Sequence, residues 1–219
     1  RLPWHGIWSC APPVTVLPEM KSCLLVTAWG FLPSLQLALW KVNFSVGHAL
    51  SFEQFPNLAL SKTYNTNQQI VDSAGTMTAM ATGVTTKAGV ISVNQQPIRG
   101  DCPSQSGNDL LTFFEWAENR GLSTGVVTTA RITHATPAAN YAHSIERNYE
   151  DDGDSNQLNN AENCTDIARQ LIEFAENNTA SDGLKVVLGG GRWSFIPKNS
   201  TDPVYGSNGA RRDGCDLTA

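Results

Sequence analysis

The chain has 219 residues, 41% hydrophobic and 16% charged, with a formal net charge of −5. That length can build a substantial core, and that composition excludes a disordered chain. No basic cluster stands out, which argues against nucleic acid as a partner. A small anionic substrate would need a local positive site made of helix ends, an arginine or metal ions.

Residues 1–47 are rich in Trp, Leu and Pro and contain no Asp. Residues 22–40 carry no charge, but Gly30, Pro33 and Gln36 weaken a membrane-span reading. The run also begins well inside the chain, unlike a signal peptide. Alternation over 58–64 predicts a strand. Residues 71–83 predict a loop entering a helix, with Ser73 as N-cap. Gly83 can end that helix in the left-handed conformation. A serine oxygen there sits among unpaired N–H groups at the positive end of the helix dipole, a setting for phosphate or another anion. Gly75 would let the anion approach the backbone.

Residues 89–93 form a second β-like run, and 100–107 a polar loop. Leu110, Leu111, Phe114 and Ala117 recur at helical spacing and predict a helix over 108–121. Val126 and Val127 centre a buried strand at 124–128. Residues 146–160 read as an acidic loop. Ile167, Ala168, Leu171, Ile172 and Ala175 share one face of a helix over 163–176. A strand over 184–188 runs into Gly189, Gly190 and Gly191, a tight turn rather than a phosphate loop, because no Gly-Lys-Ser/Thr follows. The order predicts an α/β fold with a parallel sheet flanked by helices. Such sheets form sites at the carboxyl ends of their strands, where Ser73 and the segment from His134 fall.

The five cysteines, Cys10, Cys23, Cys102, Cys164 and Cys215, show no metal-binding spacing. Glycosylation sequons stand at Asn43, Asn163, Asn177 and Asn199. Together they point to a secreted or cell-surface protein.

Two segments carry a resemblance. Asp72-Ser73-Ala74-Gly75-Thr76, with Thr78-Ala79 and a following Thr82-Gly83-Val84 turn, is one. Thr133-His134-Ala135-Thr136-Pro137-Ala138, then Tyr141-Ala142-His143-Ser144 and Arg147, is the other. In order and separation the pair resembles the alkaline phosphatases, and His134 points to the animal branch. The resemblance covers 48–219, leaving 1–47 as a divergent segment. It corresponds to the front part of a full family member.

The resemblance implies an enzyme that hydrolyses phosphate monoesters through a phosphoserine at a zinc and magnesium site. It implies Ser73 as nucleophile and metal ligand, Arg147 as phosphate binder, and His134 and Thr136 as magnesium-site residues. It implies a Cys102–Cys164 disulfide, glycosylation at Asn163, Asn177 and Asn199, a homodimer, and a lipid-anchored cell-surface location in the full-length protein. Asp72 is expected to orient Arg147 or the helix start. His143 is expected to be a hydrogen-bonded structural histidine. The histidines are His5, His48, His134 and His143, and none matches a zinc-ligand motif. The alternative reading is therefore an inactive fragment or pseudo-enzyme lacking both zinc sites.

Overall fold

The structure, a computed structural model, describes residues 5–10, 23–26, 56–57, 59–177 and 182–218. Sequon Asn43 and most of the uncharged stretch 22–40 lie outside the described residues. The chain divides into two compact units, Arg1–Thr63 and Tyr64–Ala219.

The first unit holds a three-stranded antiparallel sheet. Its centre is β1 (His5–Cys10), flanked by β2 (Cys23–Val26) and β3 (Ala59–Lys62). Trp8 sits opposite Leu25, and Ile7 opposite Leu60. The alternating stretch at 58–64 is β3.

The second unit contains α1 (Ser73–Thr82), α2 (Phe113–Glu118), β4 (Gly125–Arg131), α3 (Ala135–Ala138), α4 (Ile167–Asn177) and β5 (Val186–Gly190). Strands β4 and β5 pair in parallel, with Val126 opposite Val187. Parallel pairing needs a crossover, and the chain between them supplies α3 and α4. This is the expected α/β arrangement.

The core beneath α1 is built from small residues. Ala74, Ala135, Ala138, Ala139 and Ala142 are fully buried beside Ile91, Tyr141, Ile167 and Phe174. Small side chains let α1 and α3 approach closely, which brings their N-terminal ends near each other. Tyr141 Oη donates to Ile132 O at 2.7 Å, fixing α3 to the end of β4.

Several elements differ from the sequence expectation. The N-cap of α1 is Asp72, not Ser73; its Oδ1 accepts from Gly75 N–H at 3.0 Å. Both residue types cap well, so the sequence leaves the register open by one. Gly83 does close the helix, at φ 76°. Residues 89–93 are buried but form no strand. Ile91 and Val93 make single bridges to Ser144 and Asp109, and Ser92 turns the backbone at φ 48°. The helix expected over 108–121 is confined to α2, because Thr112 and Glu115 form a capping box there. Helix α4 starts later than 163, with Asp166 Oδ1 accepting from Arg169 N–H at 2.9 Å. Ile172 faces solvent rather than the core, at 51% exposure.

Candidate active site

Asp72 gathers four donors at the start of α1. Its Oδ1 accepts from Gly75 N–H at 3.0 Å and from Asn65 Nδ2 at 3.2 Å. Its Oδ2 accepts from Gly89 N–H at 2.9 Å and from Arg147 Nη1 at 3.1 Å. One carboxylate therefore caps the helix and holds the arginine, so both expected roles of Asp72 are realised. Ser73 is the first helical residue, half-buried beside this cap.

Arg147 is anchored at both ends. Its backbone N–H donates to Gly89 O at 2.8 Å. Its Nη2 lies 3.2 Å from His134 Nε2. A guanidinium only donates, so His134 accepts there and is neutral, with its proton on Nδ1. Burial pushes the His134 imidazole below the usual histidine range, and the charges of Arg147 and Arg131 push the same way. Arg147 pairs with Asp72 and not with its chain neighbour Glu146. Glu146 instead takes Arg99 in a two-pronged pair, at 2.8 and 2.9 Å.

His134 is the N-cap residue of α3, and half-buried Thr136 lies in that short helix. The turn leading into it is pinned by Glu150. Glu150 accepts from Arg131 Nε at 2.8 Å, Arg131 Nη2 at 2.6 Å and Thr133 Oγ1 at 2.6 Å. Burial opposes ionisation of Glu150, but Arg131 and Thr133 prevail and hold its carboxyl below the usual range. The acidic stretch 146–160 is thus no plain loop: Glu146, Glu150 and Asp151 are buried within it. Sequence reading missed Glu150 because its partners are 17 and 19 residues away.

The structure thus joins Asp72, Arg147 and His134 by direct contacts, with Ser73 next in chain to the first and Thr136 two residues from the last. Among the described residues, no group of three or more His, Cys, Asp or Glu converges as a metal site.

Other expected residues lie elsewhere. Cys102 and Cys164 are joined, with Cα atoms 5.5 Å apart. They line a groove of about 770 Å³ together with Gln105, Asp109, Glu115 and His143. There His143 Nδ1 lies 2.9 Å from Ser92 O and Nε2 lies 3.0 Å from Glu115 Oε1. Both ring nitrogens are satisfied, as a structural histidine requires. Asn163 and Asn199 are exposed, and Asn177 ends α4.

A family model describing alkaline phosphatases matches residues 41–219. The human tissue-nonspecific alkaline phosphatase isozyme is 42% identical over 172 residues, covering 77% of this chain and 32% of its own length. A membrane-bound alkaline phosphatase of Bombyx mori is also 42% identical over 172 residues, covering 77% of this chain and 30% of its own length. The chain spans about a third of the length of these curated relatives. Among solved structures, Thermus thermophilus alkaline phosphatase matches with TM-score 0.57 at 26% identity, over 84% of this chain and 30% of its own. An alkaline phosphatase from an Antarctic bacterium shares the fold with TM-score 0.54 at 24% identity, over 82% of this chain and 40% of its own. A variant of that bacterial enzyme carries bound magnesium. No helix among the described residues is long and apolar enough to cross a membrane.

Proposed function

The chain belongs to the alkaline phosphatase family, and on that premise we propose that it carries the nucleophile and phosphate-binding arginine of a phosphomonoester hydrolase. The observation that carries this reading is the Asp72–Arg147 pair at the N-terminus of α1. It ties a cation to the N-terminal end of the helix that begins at Ser73.

In this reading Ser73 Oγ attacks the phosphorus of a phosphate monoester. The bond from phosphorus to the ester oxygen breaks, and the alcohol leaves with a proton. Water then attacks the phosphoserine, the bond to Ser73 Oγ breaks, and orthophosphate departs as the serine regains its proton. Arg147 has five N–H donors, and two Nη groups are oriented by Asp72 and His134. The remaining donors bind phosphate oxygens. Charge-assisted bonds of this kind contribute about 1.5–3 kcal/mol each. The N–H groups at the start of α1 add to the anion site.

A serine hydroxyl is a weak nucleophile at neutral pH and needs activation. The family implies zinc and magnesium for that task; a bound metal pair would ionise the serine and stabilise the leaving oxygen. Ser73, His134 and Thr136 would contribute to their ligand sets. The described residues do not by themselves complete a set, and His134 Nε2 is engaged by Arg147. The relatives' names support a cell-surface or extracellular setting. Within the same reading, residues 48–219 form part of an alkaline phosphatase domain, the substrates are phosphate monoesters, the protein is a homodimer, and the exposed Asn163 and Asn199 carry glycans.

The test is turnover of a chromogenic phosphate monoester by the full-length protein with zinc and magnesium. Ser73→Ala should abolish turnover while phosphate still binds. Arg147→Ala should raise KM and weaken inhibition by inorganic phosphate. Turnover that survives Ser73→Ala contradicts the reading.

A further inference from the structure

We infer that Asn65 is a positioning residue for Arg147, acting through the Asp72 carboxylate. The inference rests on the reading of Arg147 as the phosphate-binding arginine. Asn65 is 2% exposed. Its Nδ2 donates to Asp72 Oδ1 at 3.2 Å. A carboxylate offers about four acceptor positions, and Asp72 fills them with Asn65, Gly75, Gly89 and Arg147. Every donor but the arginine belongs to the scaffold, so the scaffold sets where the carboxylate points, and the carboxylate sets the arginine.

Two observations show that Asn65 is built into this place. Its Oδ1 is buried without a hydrogen-bond partner. An unmet buried acceptor is unfavourable, so the amide is held here for its donor end. A Cβ on Gly75 would overlap the Asn65 amide. The glycine expected to admit an anion instead admits this side chain.

The same turn builds the other half of the cradle. Asn65 N–H donates to Gln68 O at 3.0 Å, and Thr66 N–H to Thr86 O at 2.9 Å. Ala88 N–H donates to Asn67 Oδ1 at 2.9 Å. These bonds fix the loop that presents Gly89 N–H to Asp72 and Gly89 O to Arg147 N–H. Removing the Asn65 amide frees one carboxylate oxygen to rotate, and the arginine fork loses its aim.

The experiment measures inorganic phosphate binding to the full-length protein by calorimetry, for the wild type and for Asn65→Ala, Asn65→Asp and Arg147→Ala. Arg147→Ala should remove most of the binding. Asn65→Ala should weaken it roughly fivefold, the worth of one hydrogen bond. Asn65→Asp should bind worse than Asn65→Ala at neutral pH, because two carboxylates then face each other. As pH falls and the new carboxyl gains a proton, its O–H can donate to Asp72, and its affinity relative to Asn65→Ala should recover. A residue that only supports folding would show no such crossover. Equal affinity of the wild type and Asn65→Ala overturns the inference, as does an Asn65→Asp to Asn65→Ala ratio that does not change with pH. If Arg147→Ala binds like the wild type, or the wild type binds no phosphate, the arginine reading fails and this inference fails with it. Loss of binding in Arg147→Ala alone leaves that reading standing and removes only the role of Asn65.

Discussion

Asp72 and Arg147 are 75 residues apart in the chain, yet Arg147 Nη1 donates to Asp72 Oδ2 at 3.1 Å. The same carboxylate caps α1. The arginine's position is therefore coupled to the start of the helix that carries Ser73. Asp72→Asn separates the two roles. An amide oxygen can still accept from Gly75 N–H, but its NH₂ then faces Gly89 N–H and Arg147. The expected loss is about 1–3 kcal/mol of stability, with weaker phosphate binding. Denaturant unfolding and phosphate titration check this. Unchanged phosphate affinity would uncouple Asp72 from the site.

The His143–Glu115 pair predicts a pH dependence of stability. Burial alone would lower the His143 imidazole, but the Glu115 carboxylate prevails and raises it. Burial alone would raise Glu115, but His143 and Thr112 lower it. The raised histidine stabilises the fold fully below its ordinary value of about 6.5, and that contribution is lost as pH rises through the folded value. The lowered glutamate stabilises above about 4.3, and its contribution is lost as pH falls through the folded value. The pair thus contributes most between these limits. Glu115→Gln keeps the capping box but removes the charge. Its unfolding midpoint should fall in that window, and the difference from the wild type should shrink above it as His143 loses its proton. A constant difference at all pH values would show that charge is not the cause.

The Cys102–Cys164 link closes a loop of 62 residues. The chain-entropy model gives it about 4 kcal/mol. Replacing both cysteines by Ser should lower unfolding stability by up to that amount. Reductant should shift the wild type towards the double variant and leave the variant unmoved. Identical midpoints with and without reductant would show two free thiols.

What the sequence made legible follows from the range of the interactions. Helix α1 and its stop at Gly83 depend on neighbouring residues, and they are readable. Strand β4 is readable from Val126 and Val127, though it runs on to Arg131 and is not the buried strand expected: Val126 is buried and Val127 is 70% exposed. Residues 89–93 mislead because a short apolar run fits a buried irregular segment as well as a strand. Charged partners far apart in the chain are not readable at all. Arg211 is 1% exposed and binds both oxygens of Asp166, 45 residues away, at 3.0 and 3.1 Å. Glu150 with Arg131 is a second case. At the site, Ser73, His134, Thr136 and Arg147 were named from motif resemblance. The role of Asn65 is not legible, because one asparagine in a polar turn carries no local signal of the carboxylate it serves.

The central claim is that Ser73 carries the phosphoryl group. The most direct measurement is an acid quench of the full-length protein during turnover of a phosphate monoester, followed by peptide mass spectrometry. The account predicts one phosphoryl group on the peptide containing Ser73, on that residue, and none after Ser73→Ala. A phosphoryl group on another residue, or turnover with a normal rate in Ser73→Ala, would contradict it.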